Sequence, residues 1–205
     1  MPITKVFQVP FDVSNIQENK PNVVNWVSVT NSVAGLAGSR KHAIFIYRNE
    51  APFDGISRIY KVVLTLNLTS NGTNGDIYRF SQLETKGSLI YQPTWSLYNN
   101  LDAAYNWRKA GGDPVETRPT YYQWPAGTGY KRIDLTKTLS CFNHFVNQGD
   151  MSFILEPFDA GVGTTTFYSD NELVVAYRPT LTVTYTPAKP RLRSRRRQFS
   201  RRSRY

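Results

Sequence analysis

Short runs of alternating apolar and polar residues, each bounded by Gly, Pro, Asn or Asp, recur along most of the chain. That pattern predicts strands rather than helices, because successive side chains of a strand point to opposite faces. The clearest predicted strands are 23–29 (VVNWVSV), 43–48 (AIFIYR), 61–69 (KVVLTLNLT), 89–92, 130–135, 151–156 (MSFILE), 165–169 (TTFYS) and 180–186 (TLTVTYT). Val62, Leu64 and Leu66 alternate with Val63, Thr65 and Asn67. Leu181, Val183 and Tyr185 alternate with Thr180, Thr182, Thr184 and Thr186, so each of these strands has one apolar face. Ser70-Asn-Gly-Thr-Asn-Gly-Asp76, Gly111-Gly-Asp-Pro114 and Ala160-Gly-Val-Gly163 carry tight-turn chemistry. One stretch departs from period two. Asp134 is placed to cap a helix in which Leu135, Leu139, Phe142, Phe145 and Val146 recur at helical spacing, ending at Gly149.

Composition narrows the class. A length of 205 residues fits one sizeable domain, or at most two small ones, and a single Cys excludes an internal disulfide framework. No run approaches the roughly 18 apolar residues of a spanning helix. Residues 1–10 lack a basic segment followed by an apolar one, so the expectation is a chain made without a cleaved export signal.

The charge becomes informative once it is located. Of the 25 Lys and Arg, nine fall after residue 188: Lys189, Arg191, Arg193, Arg195, Arg196, Arg197, Arg201, Arg202 and Arg204, with no acid among them. The remaining 16 basic residues stand against 15 acidic ones, so a net of +1 on the body accompanies +9 on the tail. The chain therefore divides into an all-β body of sandwich or barrel type, residues 1–187, and an Arg-rich arm, residues 188–205. The arm has too few apolar side chains to bury a core and should stay disordered until it meets a polyanion. Each Arg offers a permanent charge and a fork that fits phosphate oxygens, so these nine residues are the predicted nucleic-acid-binding site. The plainer readings are a solubilising tail or a nuclear-import signal. Phe199 and Tyr205 either stack on bases or do nothing.

Three blocks, in order, carry a family resemblance. Lys41-His-Ala-Ile-Phe-Ile-Tyr-Arg48 precedes Phe53-Asp-Gly-Ile-Ser-Arg-Ile-Tyr-Lys-Val-Val-Leu-Thr-Leu66 as a strand, a spacer and an alternating strand. Tyr105-Asn-Trp-Arg-Lys-Ala-Gly-Gly-Asp113 forms a W-x-x-x-G-G-D loop. Ile133-Asp-Leu-Thr136 is followed by Phe167-Tyr-Ser-Asp-Asn-Glu172 and Arg178-Pro-Thr-Leu-Thr-Val-Thr-Tyr185. Over about residues 20–187 this resembles the DNRLRE-type β-sandwich domains, relatives of carbohydrate-binding modules. The resemblance implies an all-β, jelly-roll-like sandwich of two antiparallel sheets with one short helix. It transfers no catalytic motif. The basic arm and the lack of an export signal are departures from that family.

Candidate chemistry in the body is sparse, and no catalytic constellation is expected. Cys141 and His144, at i and i+3 of the predicted helix, read either as a reactive or metal pair or as a buried Cys and an interfacial His. Asp170 and Glu172 read as loop-solvating carboxylates, with Ca²⁺ binding or acid–base work as alternatives; no cofactor is expected. Asn67-Leu-Thr69 and Asn71-Gly-Thr73 are glycosylation sequons, meaningful only in a secreted chain. Tyr121, Tyr122, Trp124 and Tyr130 form either a sugar platform or packing for the sandwich or an interface.

A rigid, near-neutral wall with a flexible cationic arm is what a capsid subunit needs. The expectation is a structural coat protein: a self-assembling homo-oligomer, forming an icosahedral shell, that packages viral genomic nucleic acid through its arm. Such a protein sits in the virion, with the basic tail allowing passage through the host nucleus; a host receptor or glycan is a further partner, and a membrane is not. The loops around Trp107–Asp113 and Tyr121–Trp124 are candidate subunit contacts. The alternatives are a carbohydrate-binding or adhesion module with a basic tail, and a monomeric nucleic-acid-binding protein.

Overall fold

A computed structural model describes residues 1–7, 12–23, 28, 30–35, 39–48, 56–71, 76–83, 93–97, 106–112, 114, 118–125, 127–139, 150–158 and 163–187. In chain order the elements are β1 (Ile3–Phe7), β2 (Asp12–Gln17), β3 (Thr30–Val33), β4 (Lys41–Arg48), β5 (Ile56–Ser70), β6 (Ile77–Gln82), β7 (Thr120–Gln123), β8 (Gly129–Asp134), α1 (Thr136–Leu139), β9 (Asp150–Pro157), β10 (Thr165–Tyr168) and β11 (Thr180–Pro187). A 3-10 turn spans Val175–Tyr177.

The strands form two antiparallel sheets, as the period-two pattern predicts. Sheet A runs β1-β11-β5-β10-β3, with β8 also paired to β5; sheet B runs β2-β4-β9-β6-β7. Residues Val63 to Thr65 pair with both β11 and β8, and Leu68 with both β10 and β8. A strand has two edges, so β11 and β10 succeed one another along one edge of β5 while β8 lies along the other.

The apolar face of each sheet turns inward. Val62, Leu64, Leu66, Leu181, Val183 and Phe167 of sheet A meet Val13, Phe45, Tyr78, Phe80, Phe153 and Leu155 of sheet B in one core. Phe45 ties the layers together, stacked 4.8 Å from Phe153 on its own sheet and 5.8 Å from Phe167 on the other. Each such buried side chain contributes about 1.5–3 kcal/mol.

Several expectations are corrected. Within predicted strand 23–29, Val23 and Ser28 are not strand, and the local strand is β3, further along; 24–27 and 29 lie outside the described residues, as does predicted strand 89–92. The predicted helix is described only as the four residues of α1, and residues 140–149, including Cys141, Phe142, His144, Phe145 and Val146, lie outside the described residues. Asp134 closes β8 and caps α1: its Oδ1 accepts the Thr136 amide at 2.9 Å and the Thr136 hydroxyl at 2.5 Å. Burial alone would raise the Asp134 carboxyl; those two hydrogen bonds and Lys61 outweigh it and hold it below its ordinary value. Strands β1, β2, β6 and β7 were not among the predicted ones, because their short polar-interrupted sequences carry weak periodicity.

Candidate functional site

The nine predicted nucleic-acid-binding residues, Lys189 to Arg204, lie outside the described residues; the place where the chain reaches them is well defined. β11 ends at Pro187, beside Ile56, and its Thr186 stands opposite Arg58. On the neighbouring edge Ile3 pairs with Tyr185. The arm therefore leaves from one end of sheet A. There the Arg58 guanidinium lies 4.9 Å from the Tyr60 ring centroid, and the Thr186 hydroxyl donates to the Tyr60 hydroxyl at 3.1 Å. The outward positions of β11 are threonines. Thr184 shares a 3.0 Å hydrogen bond with Thr4 and faces Lys61 across the ladder. Further along, Thr65 lies between Thr180 and Arg132.

The outer face of sheet B is built differently. Ile44, Ile46 and Ile154 point away from the main core and, with Ile16 and Leu83, pack under Trp95 and Trp107 in a second apolar cluster. The Trp107 indole donates to the Thr94 carbonyl at 3.0 Å, and the Gly111 amide donates to the Trp95 carbonyl at 2.7 Å. Gly111 and Gly112 are required by this closure. Both sit at positive φ, +94° and +114°, and a Cβ on Gly111 would lie 2.9 Å from the Trp95 ring. Trp107–Gly112 of the W-x-x-x-G-G-D block thus cover sheet B, with the Trp107 side chain buried in the second cluster.

Beside that cover a cleft of about 440 Å³ is lined by Arg40, His42, Arg79, Trp95, Lys109 and Glu156, among others. Arg40 donates from Nε and Nη2 to Glu18 at 3.1 and 2.8 Å. Arg79 and Glu156 make a largely buried ion pair, with Nε and Nη2 within 2.8 and 2.7 Å of Oε1. His42 is 8% exposed; its Nδ1 lies 2.9 Å from the Gly111 carbonyl and its ring 4.7 Å from that of Trp95. Desolvation lowers its pKa to about 4 against the pull of that carbonyl, and Arg40 and Arg79 add to the lowering. The imidazole is therefore neutral at pH 7, donating through Nδ1 and presenting Nε2 as an acceptor. The cleft combines two guanidiniums paired to carboxylates, Lys109 and a neutral acceptor, a polar lining suited to hydrogen-bonding ligands. Sequence reasoning missed it. Its side chains come from segments far apart in the chain, and only Gly111-Gly112 left a local signal, read as a turn.

The other candidates separate. Trp124 is buried in the main core and Tyr122 packs against it, whereas Tyr121 points outward from sheet B and Tyr130 outward from sheet A. The four aromatics do not form one platform. Tyr121 instead pairs edge-on with Phe158 at 4.7 Å, and the Tyr130 hydroxyl donates to the Ala176 carbonyl at 3.1 Å. The carboxylates of Asp170 and Glu172 accept the amides of Val13 and Val174 at 3.2 and 3.1 Å. They brace the turn, and among the described residues no cluster of three His, Cys, Asp or Glu side chains could hold a metal ion. Of the sequon asparagines, Asn67 is buried, and Asn71 donates to the Pro125 carbonyl at 3.1 Å.

Compared with known proteins, the chain matches no family model and no curated protein. Among the described residues no helix is long and apolar enough to cross a membrane.

Proposed function

We propose that the chain is a coat subunit that assembles into a shell and packages nucleic acid through its Arg-rich arm. The observation that carries this reading is charge segregation: +9 on residues 188–205 against +1 on the rest. A wall of near-neutral subunits tiles without self-repulsion, and a cationic arm neutralises phosphates without reading bases. The two-sheet sandwich supports it as a rigid wall element, and the arm root at one end of sheet A supports a single direction of exit. Exposed apolar side chains offer surface for subunit contacts: Leu173 is 87% exposed, beside the half-exposed Val174 and Val175. Tyr121 and Phe158, each half-exposed, form a second such patch.

The test replaces the eight tail arginines with alanine and measures packaged nucleic acid and the salt dependence of binding. With all nine tail cations on phosphates, log K against log salt has a slope of about −6 for single strands and about −8 for duplex, as upper limits in magnitude. The arginine-free variant should lose nearly all of that slope and form empty particles. Unchanged binding and slope would refute the reading.

The cleft over sheet B favours a second reading, a saccharide-binding module with a basic tail. Monodisperse monomers that bind a sugar, in place of particles, would establish that reading over the first.

A further inference from the structure

We propose that the outer face of sheet A at the arm root is itself a nucleic-acid contact surface, on which a single strand crosses Arg58, Lys61 and Arg132, with Tyr60 as a stacking platform. The proposal rests on the packaging reading and adds to it a site on the body.

Four cross-strand rows define the surface. Thr186 faces Arg58; Thr4, Thr184 and Lys61 form the next row; Thr182, Val63 and Asp134 make the third; Thr180, Thr65 and Arg132 complete it. Arg58, Lys61, Arg132, Thr4 and Asp134 are exposed, and the threonines of β11 are partly so. From Arg58 to Thr65 along β5 is roughly 23 Å at about 3.3 Å per residue. That track accommodates several nucleotides, within the span of about 4–16 that single-strand-binding sheets cover.

The chemistry matches a phosphate backbone. Arginine, lysine and threonine are the side chains that position phosphates, and here they share the outer face of one sheet. Asp134 is the one acid in these rows; its Oδ1 accepts the Thr136 amide and hydroxyl, and its charge is partly offset by Lys61. Sheet B contrasts with this: Arg40 and Arg79 of its cleft are hydrogen-bonded to Glu18 and Glu156. Tyr60 adds what a polyanion alone would not require. It is 42% exposed, with Arg58 lying over its ring and its hydroxyl held by Thr186. An oriented aromatic beside a guanidinium offers a base a stacking partner of either kind. Continuity with the arm decides the occupant. β11 carries the chain past Arg58 at Thr186 and into residues 188–205 just beyond, so a strand held by the arm is delivered to this face.

The experiment measures binding of a fluorescein-labelled 20-nucleotide oligo-dT to the full chain by anisotropy across a salt series. R58A/K61A/R132A should reduce the magnitude of the log–log slope by about 2, three contacts at about 0.7 each. The control K20A/R108A removes exposed cations just after β2 and in the cover segment of sheet B and should leave the slope within about 0.5 of the parent, less than one contact. R58K/R132K keeps the charges and should keep the slope. Y60L should weaken binding by roughly 5- to 150-fold, the worth of one stacked base, with the slope unchanged. Equal slopes in the triple variant and its control would overturn the proposal, as would a triple variant indistinguishable from the parent. The packaging reading fails separately: it falls if the arginine-free arm binds oligo-dT as the parent does. Loss of binding in that arm variant, with no effect from R58A/K61A/R132A, would sink only the surface proposed here.

Discussion

The two sheets of the sandwich share one core but present opposite outer faces. On sheet B, consecutive residues Ala43, Ile44, Phe45 and Ile46 of β4 are all buried, as are Phe153, Ile154 and Leu155 of β9. Every second one of these side chains points away from the main core, so the sheet needs a cover, which the Trp95 and Trp107 segment provides. On sheet A, β11 alternates buried and partly exposed residues along its length until Pro187, which is exposed, and its threonine face stays open at the arm root. Continuous apolar strands demand partners on both faces, whereas alternating strands leave one face for water or a ligand. The covered sheet is thus packed on both faces, with a cleft at the margin of its cover. The open sheet is the half that offers a broad polar surface.

Removing the cover should have the largest effect. Trp107→Ala takes the anchoring indole out of the second cluster, together with its hydrogen bond to Thr94. Truncations of this kind cost about 3–5 kcal/mol. Urea unfolding followed by tryptophan fluorescence and circular dichroism measures the loss. A cost below about 1 kcal/mol, within the range of ordinary surface changes, would mean that the segment rests on sheet B without holding it.

Acid should weaken the same half next. His42 is neutral in the folded state, with a pKa near 4, and titrates near 6.5 when unfolded. Below pH 6.5 the unfolded chain takes up a proton that the folded chain refuses. The stability contributed by a neutral His42 is therefore full above pH 6.5 and is lost as pH falls towards 4. At 1.36 kcal/mol per unit the loss reaches about 3 kcal/mol. His42→Asn should flatten the pH profile of the urea midpoint across that window. A variant with the parent's pH dependence would show that other groups carry it.

Sheet A was legible where the strands alternate. The period of two in β5 and β11 states both the strand and its inward face, and burial of Val62, Leu64, Leu66, Leu181 and Val183 agrees with that reading. The AIFI run of β4 was read as a strand, but that it is buried on both faces was not drawn from it. What covers sheet B was not legible, because Trp95 and Trp107 sit in polar, turn-rich sequence without period. Strands such as β7 (TYYQ) and β3 (TNSV) are four residues long and take their form from neighbours. The cleft and the arm-root surface escaped for a different reason. Arg79 meets Glu156, and Arg58 meets Thr186, only because the ladders pair β6 with β9 and β5 with β11. No local pattern encodes a register between segments so far apart.

The smallest effects sharpen the comparison within a single strand. Thr182 and Val183 are neighbours on β11, one on the open face and one in the core. Val183→Thr buries a hydroxyl among Leu, Val and Phe side chains and should cost about 1–3 kcal/mol. Thr182→Val makes the reverse exchange of nearly equal shapes on the outer face, beside Val63 and Asp134. Both residues are β-branched and strand-compatible, so stability should change by no more than about 0.5 kcal/mol. Thermal and urea unfolding of the two variants side by side measures the difference. If Thr182→Val were as costly as Val183→Thr, the outer hydroxyls would be structural, and sheet A would be closed on both sides like its partner. A near-zero cost leaves those hydroxyls to solvent or to whatever the arm brings against them.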